Sequence, residues 1–203
     1  MHGLRRAACS LKRNRIHLRL AGTALAACSI FAQTTSQVPS AGKIPERSFA
    51  MEELKSRHLF TITEKLSPTL ELAETPAGNR RVFTVSGGQF AGDRLRGEVL
   101  AQASSDLLLV RADGSFQLDA RLVLKTEDGA LILMTYHGLR CASPEVNARI
   151  AHGEQVAASD YYLRTTPFFE TSSPKYSWLN RIVTVGVGQR QSDEVTYGVF
   201  EIL

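Results

Sequence analysis

The sequence predicts an all-β protein, an antiparallel up-and-down β-barrel of roughly eight to ten strands with one short helix. Turn signals recur along residues 54–203, between segments that alternate apolar and polar side chains. Two tight turns, at 112–114 and 127–129, join consecutive strands into hairpins in series, which is the pattern of a meander. Closure into a barrel is favoured because it leaves no exposed strand edge.

The strands follow one another closely along the chain. The first is expected over 58–66, where Phe60 and Ile62 alternate with threonines. The second, over 81–86, is expected to end where Gly87 and Gly88 interrupt it. Further strands are predicted over 106–111, 115–126, 130–139, 161–170, 180–189 and 194–202.

The one helix is predicted from its two ends. Ser143 is a capping residue, Pro144 suits the first helical position, and Gly153 follows the last turn. The helix is short, and we expect it to cover one end of the barrel.

The first 32 residues have the layout of a secretory signal, with six basic residues, no acidic one, and an apolar run over 20–32 that is too short to span a bilayer. Three interpretations stay open: cleavage after Ala32, a lipoprotein box that places a lipid on Cys28, or an uncleaved start. We expect an exported protein, periplasmic or lipid-anchored, that meets a membrane only through such a lipid. A flexible linker over 33–53 then leads to a barrel domain over 54–203.

The formal net charge of +4 is a property of this leader. The rest of the chain has 18 basic and 20 acidic residues, which gives it a formal net charge of −2. A nucleic-acid-binding domain needs a basic surface that the folded region lacks. We therefore expect no nucleic-acid partner.

No disulfide, metal or cofactor is expected in the folded region. Cys141 is its one cysteine, and a buried, inert thiol is the expected state. His58, His137 and His152 are too widely separated for a zinc-site pattern. The sequence has no Gly-x-Ser-x-Gly motif, which argues against a serine hydrolase of that type.

The stretch 161–180, YYLRTTPFFETSSPKYSWLN, places an Arg, a Glu and two Thr among aromatic side chains. Its segments LRTTPFFE and YSWLN resemble the FRT-x-P-x-F-E and Y-x-WLN segments of the family known as domain of unknown function 3237, or uncharacterised protein family 0311. The earlier segments GGQFAG and LRG are similar to that family's Gly-Gly-x-Phe-x-Gly and Leu-x-Gly signature. The resemblance covers most of the chain from about Leu59 onward.

The resemblance implies a barrel of the same general kind but no particular reaction. Asp106 is retained from the family pattern, although Leu107 replaces its Trp and the turn 101–105 lacks its glycines. Asp119 and Arg121 correspond to a Leu-Asp-Ala-Arg motif of the family, which favours a lumen position for both. The alternative, in which the polar face of this strand meets water, stays open.

The candidate site residues are polar or aromatic side chains on these strands. Three carboxyl groups are candidates for proton transfer, namely Asp106, Asp119 and Glu170. Ligand binding is expected from Arg121, Arg164, Thr166, Trp178 and Asn180. Structural roles compete with each of these, because an Arg and a Glu can pair internally, a Trp can pack in the core and an Asn can hold a turn.

Together these features suggest an exported barrel that binds a small polar or aromatic organic molecule in its lumen, with acid/base chemistry of isomerase or lyase type. The alternatives are a carrier without turnover and a structural or assembly barrel whose lumen is filled by its own side chains. Convergence of Asp119, Arg121, Arg164 and Glu170 on one cavity would favour a ligand site. Apolar strand faces also suggest a homodimer through the barrel wall.

Overall fold

The structure, a computed structural model, describes residues 53–203. The predicted leader, with Cys28, and almost all of the linker lie outside the described residues. One α-helix, α1 (Pro144–Ala151), and three 3-10 helices, Ala101–Ala103, Ala158–Asp160 and Pro174–Arg181, accompany ten strands. The strands are β1 (Ser56–Leu66), β2 (Leu70–Thr75), β3 (Gly78–Ala91), β4 (Arg96–Val99), β5 (Ser105–Val110), β6 (Phe116–Thr126), β7 (Leu131–Cys141), β8 (Tyr162–Glu170), β9 (Thr184–Arg190) and β10 (Glu194–Ile202).

The sheet closes on itself as a barrel. β1 pairs antiparallel with both β10 and β3, which joins the two ends of the meander. β4 and β5 share one place in the ring, because both pair with β3 on one side and β6 on the other. The result is a closed barrel of eight strand positions, with β2 paired to β3 outside the ring. The predicted antiparallel barrel is confirmed.

Side chains that alternate along each strand fill the lumen. On β6, Leu118, Ala120, Leu122 and Leu124 are buried, as expected for the apolar face of a two-faced strand. Phe60 lies 5.6 Å from Phe90 and 5.9 Å from Phe169 between ring centroids. These aromatic contacts belong to a single apolar core inside the barrel.

The two ends of the barrel are covered by different helices. α1 follows β7 and begins as predicted, since the Ser143 side chain accepts a hydrogen bond from the Val146 backbone N–H. The 3-10 helix Pro174–Arg181 lies between β8 and β9 and therefore at the opposite end. None of the helices within residues 53–203 is long and apolar enough to cross a membrane.

Three local predictions are wrong. The strand expected from Asn180 begins only at Thr184, because the 3-10 helix occupies the preceding residues. β3 continues through Gly87 and Gly88, which do not end it. Gly88 instead permits close strand contact, since a Cβ there would lie 2.1 Å from the Thr63 carbonyl oxygen. Cys141, expected to be buried, is exposed at the end of β7.

Gly188 on β9 makes room for an inward aromatic ring. A Cβ at this position would lie 2.5 Å from Cε1 of Tyr197 and 2.6 Å from Cδ2 of Leu163. Gly188→Ala should therefore destabilise the fold by about 1–3 kcal/mol through overpacking. Urea unfolding followed by circular dichroism measures the change.

Gly198→Ala, one residue beyond Tyr197 on β10, is the matched control. Its added Cβ would meet only the ring of Phe200, at 3.2 Å. We expect a change within about 0.5 kcal/mol. Equal losses for the two variants would show that Gly188 has no special packing role.

Candidate functional site

A small cavity lies inside the barrel at the end covered by α1. Its volume is about 40 Å³, which is room for a few water molecules. Polar and apolar groups share its wall, and the polar ones come from five different strands. The polar residues are Glu64, Asp106, Arg140, Arg190 and Tyr197, and the apolar ones are Leu66, Phe83, Leu108, Leu118, Leu163 and Val195.

Glu64 is the most deeply buried charged residue of the cavity. It follows Phe60 and Ile62 on the inward face of β1 and is only 1% exposed. The Tyr136 hydroxyl donates a hydrogen bond to Oε2 at 3.1 Å, whereas Oε1 has no hydrogen-bond partner within residues 53–203. Burial, reinforced by the negative charge of Asp106, raises the pKa of Glu64 to about 8. Near neutral pH this carboxyl group is therefore protonated.

Asp106 is the second buried carboxyl group. It lies near the start of β5, and its Oδ1 accepts a hydrogen bond from the Asp119 backbone N–H at 3.0 Å. Burial raises the pKa of Asp106 to about 6, although the hydrogen bond from Asp119 and the charge of Arg190 act in the opposite direction. Asp106 is therefore mostly ionised at pH 7, when Glu64 is neutral.

Two tyrosines pack beside these carboxyl groups. The rings of Tyr136 and Tyr197 have centroids 5.5 Å apart with an interplanar angle of 55°. Burial raises the pKa of both phenols well above its ordinary value, so both hydroxyl groups stay neutral and can donate hydrogen bonds. Tyr136 thus supplies a fixed donor to Glu64.

Two arginines complete the polar wall. The Arg140 guanidinium lies 4.1 Å from the centre of the Phe116 ring and donates from Nη2 to Oδ1 of Asn147 at 3.2 Å. Arg190 donates from Nη1 to the Glu194 carbonyl and from Nη2 to the Ser192 carbonyl, each at 2.9 Å. Burial lowers the pKa of both arginines, that of Arg140 to about 10.

Of the predicted proton-transfer residues, Asp106 lies in this cavity and the other two lie outside it. Asp119 alternates with the buried Leu118 and Ala120, so its side chain faces outward. Arg121 shares that outer face and contacts Asp119 with Nη1 3.3 Å from Oδ1. The prediction that Asp119 and Arg121 lie in the lumen is wrong, because apolar side chains occupy the inward face of β6.

The predicted residues of β8 also face outward. Leu163, Thr165 and Phe169 are buried, which places Arg164, Thr166 and Glu170 on the outer face. The Arg164 guanidinium donates to the Leu163 carbonyl at 2.9 Å and lies 5.0 Å from the Tyr162 ring centre. Arg164 and Glu170 therefore do not converge with Asp106 on the lumen.

Trp178 and Asn180 lie on the 3-10 helix at the opposite end of the barrel. The guanidinium carbon of Arg94 lies 3.4 Å above the Trp178 ring. The Asn180 side chain accepts from the Thr171 backbone N–H and donates to its carbonyl, both at 2.9 Å. Both side chains thus make contacts that hold this end of the barrel together.

Residues 54–202 match the family model described as Protein of unknown function (DUF3237). The chain belongs to this family. The UPF0311 protein of Rhodopseudomonas palustris is 31% identical over 150 residues, which cover 74% of this chain and 97% of that protein. The resemblance inferred from the LRTTPFFE and YSWLN segments is confirmed.

Two further relatives extend the comparison. The crystal structure of a β-barrel-like protein from Acinetobacter baumannii matches with a TM-score of 0.65 and 36% identity, over 75% of this chain and 98% of that chain. The hydroalkoxylation enzyme phnH of Penicillium herquei is 29% identical over 146 residues, which cover 68% of this chain and 82% of that protein. This DUF3237 barrel therefore has an enzyme among its distant relatives.

Most polar residues of the cavity were not predicted from the sequence. The missed polar residues interrupt inward apolar alternations, and this interruption is the signal that could have identified them. Glu64 follows Phe60 and Ile62 at spacing two, and Tyr136 and Arg140 continue the inward series of Ile132 and Met134. Tyr197 and Arg190 occupy equivalent inward positions on β10 and β9.

The raised pKa of Glu64 makes stability depend on pH. Below its ordinary pKa of 4.5, Glu64 is protonated in both the folded and the unfolded chain. Between pH 4.5 and 8 the unfolded chain loses this proton and the folded barrel keeps it, so the free energy of unfolding falls as pH rises. Glu64→Gln removes this effect and should be more stable than wild type by about 3 kcal/mol at pH 7.

Urea unfolding at pH 4.5 and pH 7 tests this prediction. The difference between Glu64→Gln and wild type should be small at the lower pH and large at the higher one. Glu98→Gln is the control, because Glu98 is exposed and pairs with Lys125 at 3.7 Å on the surface. A difference for Glu64→Gln that does not change with pH would contradict the raised pKa.

Proposed function

We propose that this barrel is an acid/base enzyme that binds a small organic molecule in its lumen. The proposal is supported by two buried carboxyl groups that line one cavity. Glu64 has a pKa of about 8 and Asp106 a pKa of about 6. Between these values one group is protonated and the other ionised. The pair can therefore donate one proton and accept another, as general acid/base catalysis requires.

Glu64 is the acid of this pair. Its Oε1 has no partner within the described part of the chain, so a proton on this atom can be given to a bound molecule. Tyr136 donates to Oε2 and stabilises the carboxylate that remains. Asp106 is the base, held in place by the backbone N–H of Asp119.

Addition to a carbon–carbon double bond would use both groups in one step. Glu64 gives its proton to one carbon while a hydroxyl oxygen bonds to the other, and Asp106 takes the hydroxyl proton. The π bond and the O–H bond break as the C–H and C–O bonds form. Exchange with water then returns the proton to Glu64 and removes it from Asp106. Elimination is the same step in reverse.

The name of one relative supports this class of reaction. The phnH protein of Penicillium herquei is a hydroalkoxylation enzyme, and hydroalkoxylation adds an O–H group across a multiple bond. Such an addition needs a proton donor and a proton acceptor in one site. Glu64 and Asp106 supply both in this chain.

A non-catalytic barrel is the alternative, and the size of the cavity favours it. A volume of about 40 Å³ means that side chains fill most of the lumen. An enzyme substrate must then insert only its reactive end between Glu64 and Asp106. A carrier would bind ligand without turnover, and a structural barrel would do neither.

Turnover is tested with unsaturated alcohols and alkenyl phenols in heavy water, followed by proton NMR. A deuteron should appear on carbon as the C–O bond forms. Glu64→Gln and Asp106→Asn should each lower the rate by about 10²–10⁴-fold, because each removes one proton-transfer group. Glu98→Gln is the surface control and should leave the rate unchanged. Turnover that survives both lumen substitutions would contradict the assignment.

The rate should also show a bell-shaped dependence on pH. It should fall below about pH 6, where Asp106 gains a proton, and above about pH 8, where Glu64 loses one. The groups that act on these carboxyls are Asp106 and Tyr136 for Glu64, and Asp119 and Arg190 for Asp106. In Glu64→Gln the descending limb should disappear. A rate that changes monotonically from pH 5 to pH 9 would contradict the paired roles.

We also propose that the protein is exported, on the basis of the basic start and apolar run of residues 1–32. Export is tested by fractionating cells that express either the wild-type protein or the Cys28→Ser variant. A membrane-bound wild type with a released Cys28→Ser variant would support lipidation. Both proteins free in the exported fraction would support cleavage after Ala32. Both in the cytoplasm would contradict export.

A further inference from the structure

The two arginines of the cavity form no ion pair. Within residues 53–203, neither Arg140 nor Arg190 has an acidic side-chain oxygen within 4.0 Å, whereas five other arginines do. Their hydrogen-bond partners are the Asn147 side-chain oxygen and the Ser192 and Glu194 carbonyls. All three partners are uncharged.

The nearby acids act on Arg190 rather than on Arg140. Asp193 and Asp106 both favour the charged form of Arg190, whereas no acidic side chain is among the groups that shift the pKa of Arg140, and Glu64 is neutral at pH 7. Each arginine is desolvated, and the charge of Arg190 also disfavours the charged form of Arg140. A desolvated guanidinium without an ion-pair partner, such as that of Arg140, would be stabilised by a bound anion.

Arg140 is the better placed of the two to contact a ligand. The Phe116 ring covers one face of its guanidinium, and Asn147 takes a hydrogen bond from Nη2. Its Nε is buried and has no hydrogen-bond partner in the described part of the chain. The Nε edge of a guanidinium can bind one carboxylate through two parallel hydrogen bonds.

Arg190 has a different role. Both of its terminal nitrogens donate to carbonyls around the β9–β10 turn, at 2.9 Å each. Its guanidinium is therefore fixed, and it contributes charge to the cavity rather than a free hydrogen-bonding edge. A ligand would reach this wall from solvent, since Arg140, Arg190 and Leu66 are each partly exposed.

We propose that the cavity takes the reactive end of an organic anion, whose carboxylate or phenolate oxygen pairs with Arg140 and whose reactive carbon lies between Glu64 and Asp106. The position of the reactive carbon rests on the proposed acid/base function. The anion site itself rests on the two arginines and stands independently of turnover. A neutral molecule of the same shape would leave the Arg140 Nε edge unpaired and should bind more weakly.

Isothermal titration of the full-length chain with three probes tests the anion site. Benzoate carries a carboxylate, 4-nitrophenolate carries a phenolate, and benzyl alcohol is a neutral compound of similar size. We expect at least one anion to bind wild type, and benzyl alcohol to bind at least tenfold more weakly. Benzoate and 4-nitrophenolate together show which oxyanion the site prefers.

Arg140→Gln should weaken binding of the preferred anion at least tenfold. Arg140→Lys should recover only part of the lost affinity, because lysine restores the positive charge but not the forked geometry of the guanidinium. Arg149→Gln is the matched control on α1, where Arg149 pairs with Glu154 at 2.9 Å on the surface. Circular dichroism confirms that each variant is folded.

Three results would overturn the anion site: no binding of either anion, equal binding of benzyl alcohol, or equal weakening by Arg149→Gln. These results are separable from the fate of the proposed function. If neutral alkenes are turned over with a bell-shaped pH profile and no anion binds, the acid/base function stands and the anion site fails. If anions bind through Arg140 and turnover is absent, the site is that of a carrier.

Discussion

The burial of one carboxyl group inside a closed barrel is the constraint on which the site depends. Because β1 closes the barrel between β10 and β3, its inward residues Phe60, Ile62 and Glu64 are shielded from water. Glu64 is one of these residues, and Tyr136 is the hydrogen-bond donor that reaches it. A carboxylate in such a place is costly, so Glu64 stays protonated at neutral pH and leaves Asp106 as the anion of the pair.

Much of the fold could be predicted because local patterns determine it. The alternation along β6 predicted its two faces, although not which of them points into the lumen, and Ser143 with Pro144 predicted the start of α1. The errors arose where a local signal has two structural outcomes. Gly87 and Gly88 can end a strand or let two strands approach closely, and the distance to Thr63 shows the second. Ser173 and Pro174, which also suit a loop, lie at the start of a 3-10 helix that no periodicity revealed.

The site was harder to predict because its residues are far apart in sequence. The polar residues selected from the sequence lie close together along β6 and β8, and on a half-buried strand such residues usually face water, as Asp119 and Arg164 do. The cavity takes one polar residue from each of five strands, and Glu64 contacts Tyr136, which lies 72 positions away in the sequence. Only the register of the closed sheet brings these side chains together. A polar residue in an inward apolar series was the available signal, and it points to Glu64.

The most direct test of this account is a titration of the Glu64 carboxyl group itself. Carbon-13 NMR of protein labelled at the glutamate side-chain carboxyl, with Glu64→Gln to assign the signal, follows its protonation as pH changes. We expect a midpoint near pH 8, with Glu64 protonated at pH 7. A midpoint near the ordinary value of 4.5 would contradict it, because Glu64 and Asp106 would then both be ionised and no acid would remain in the lumen.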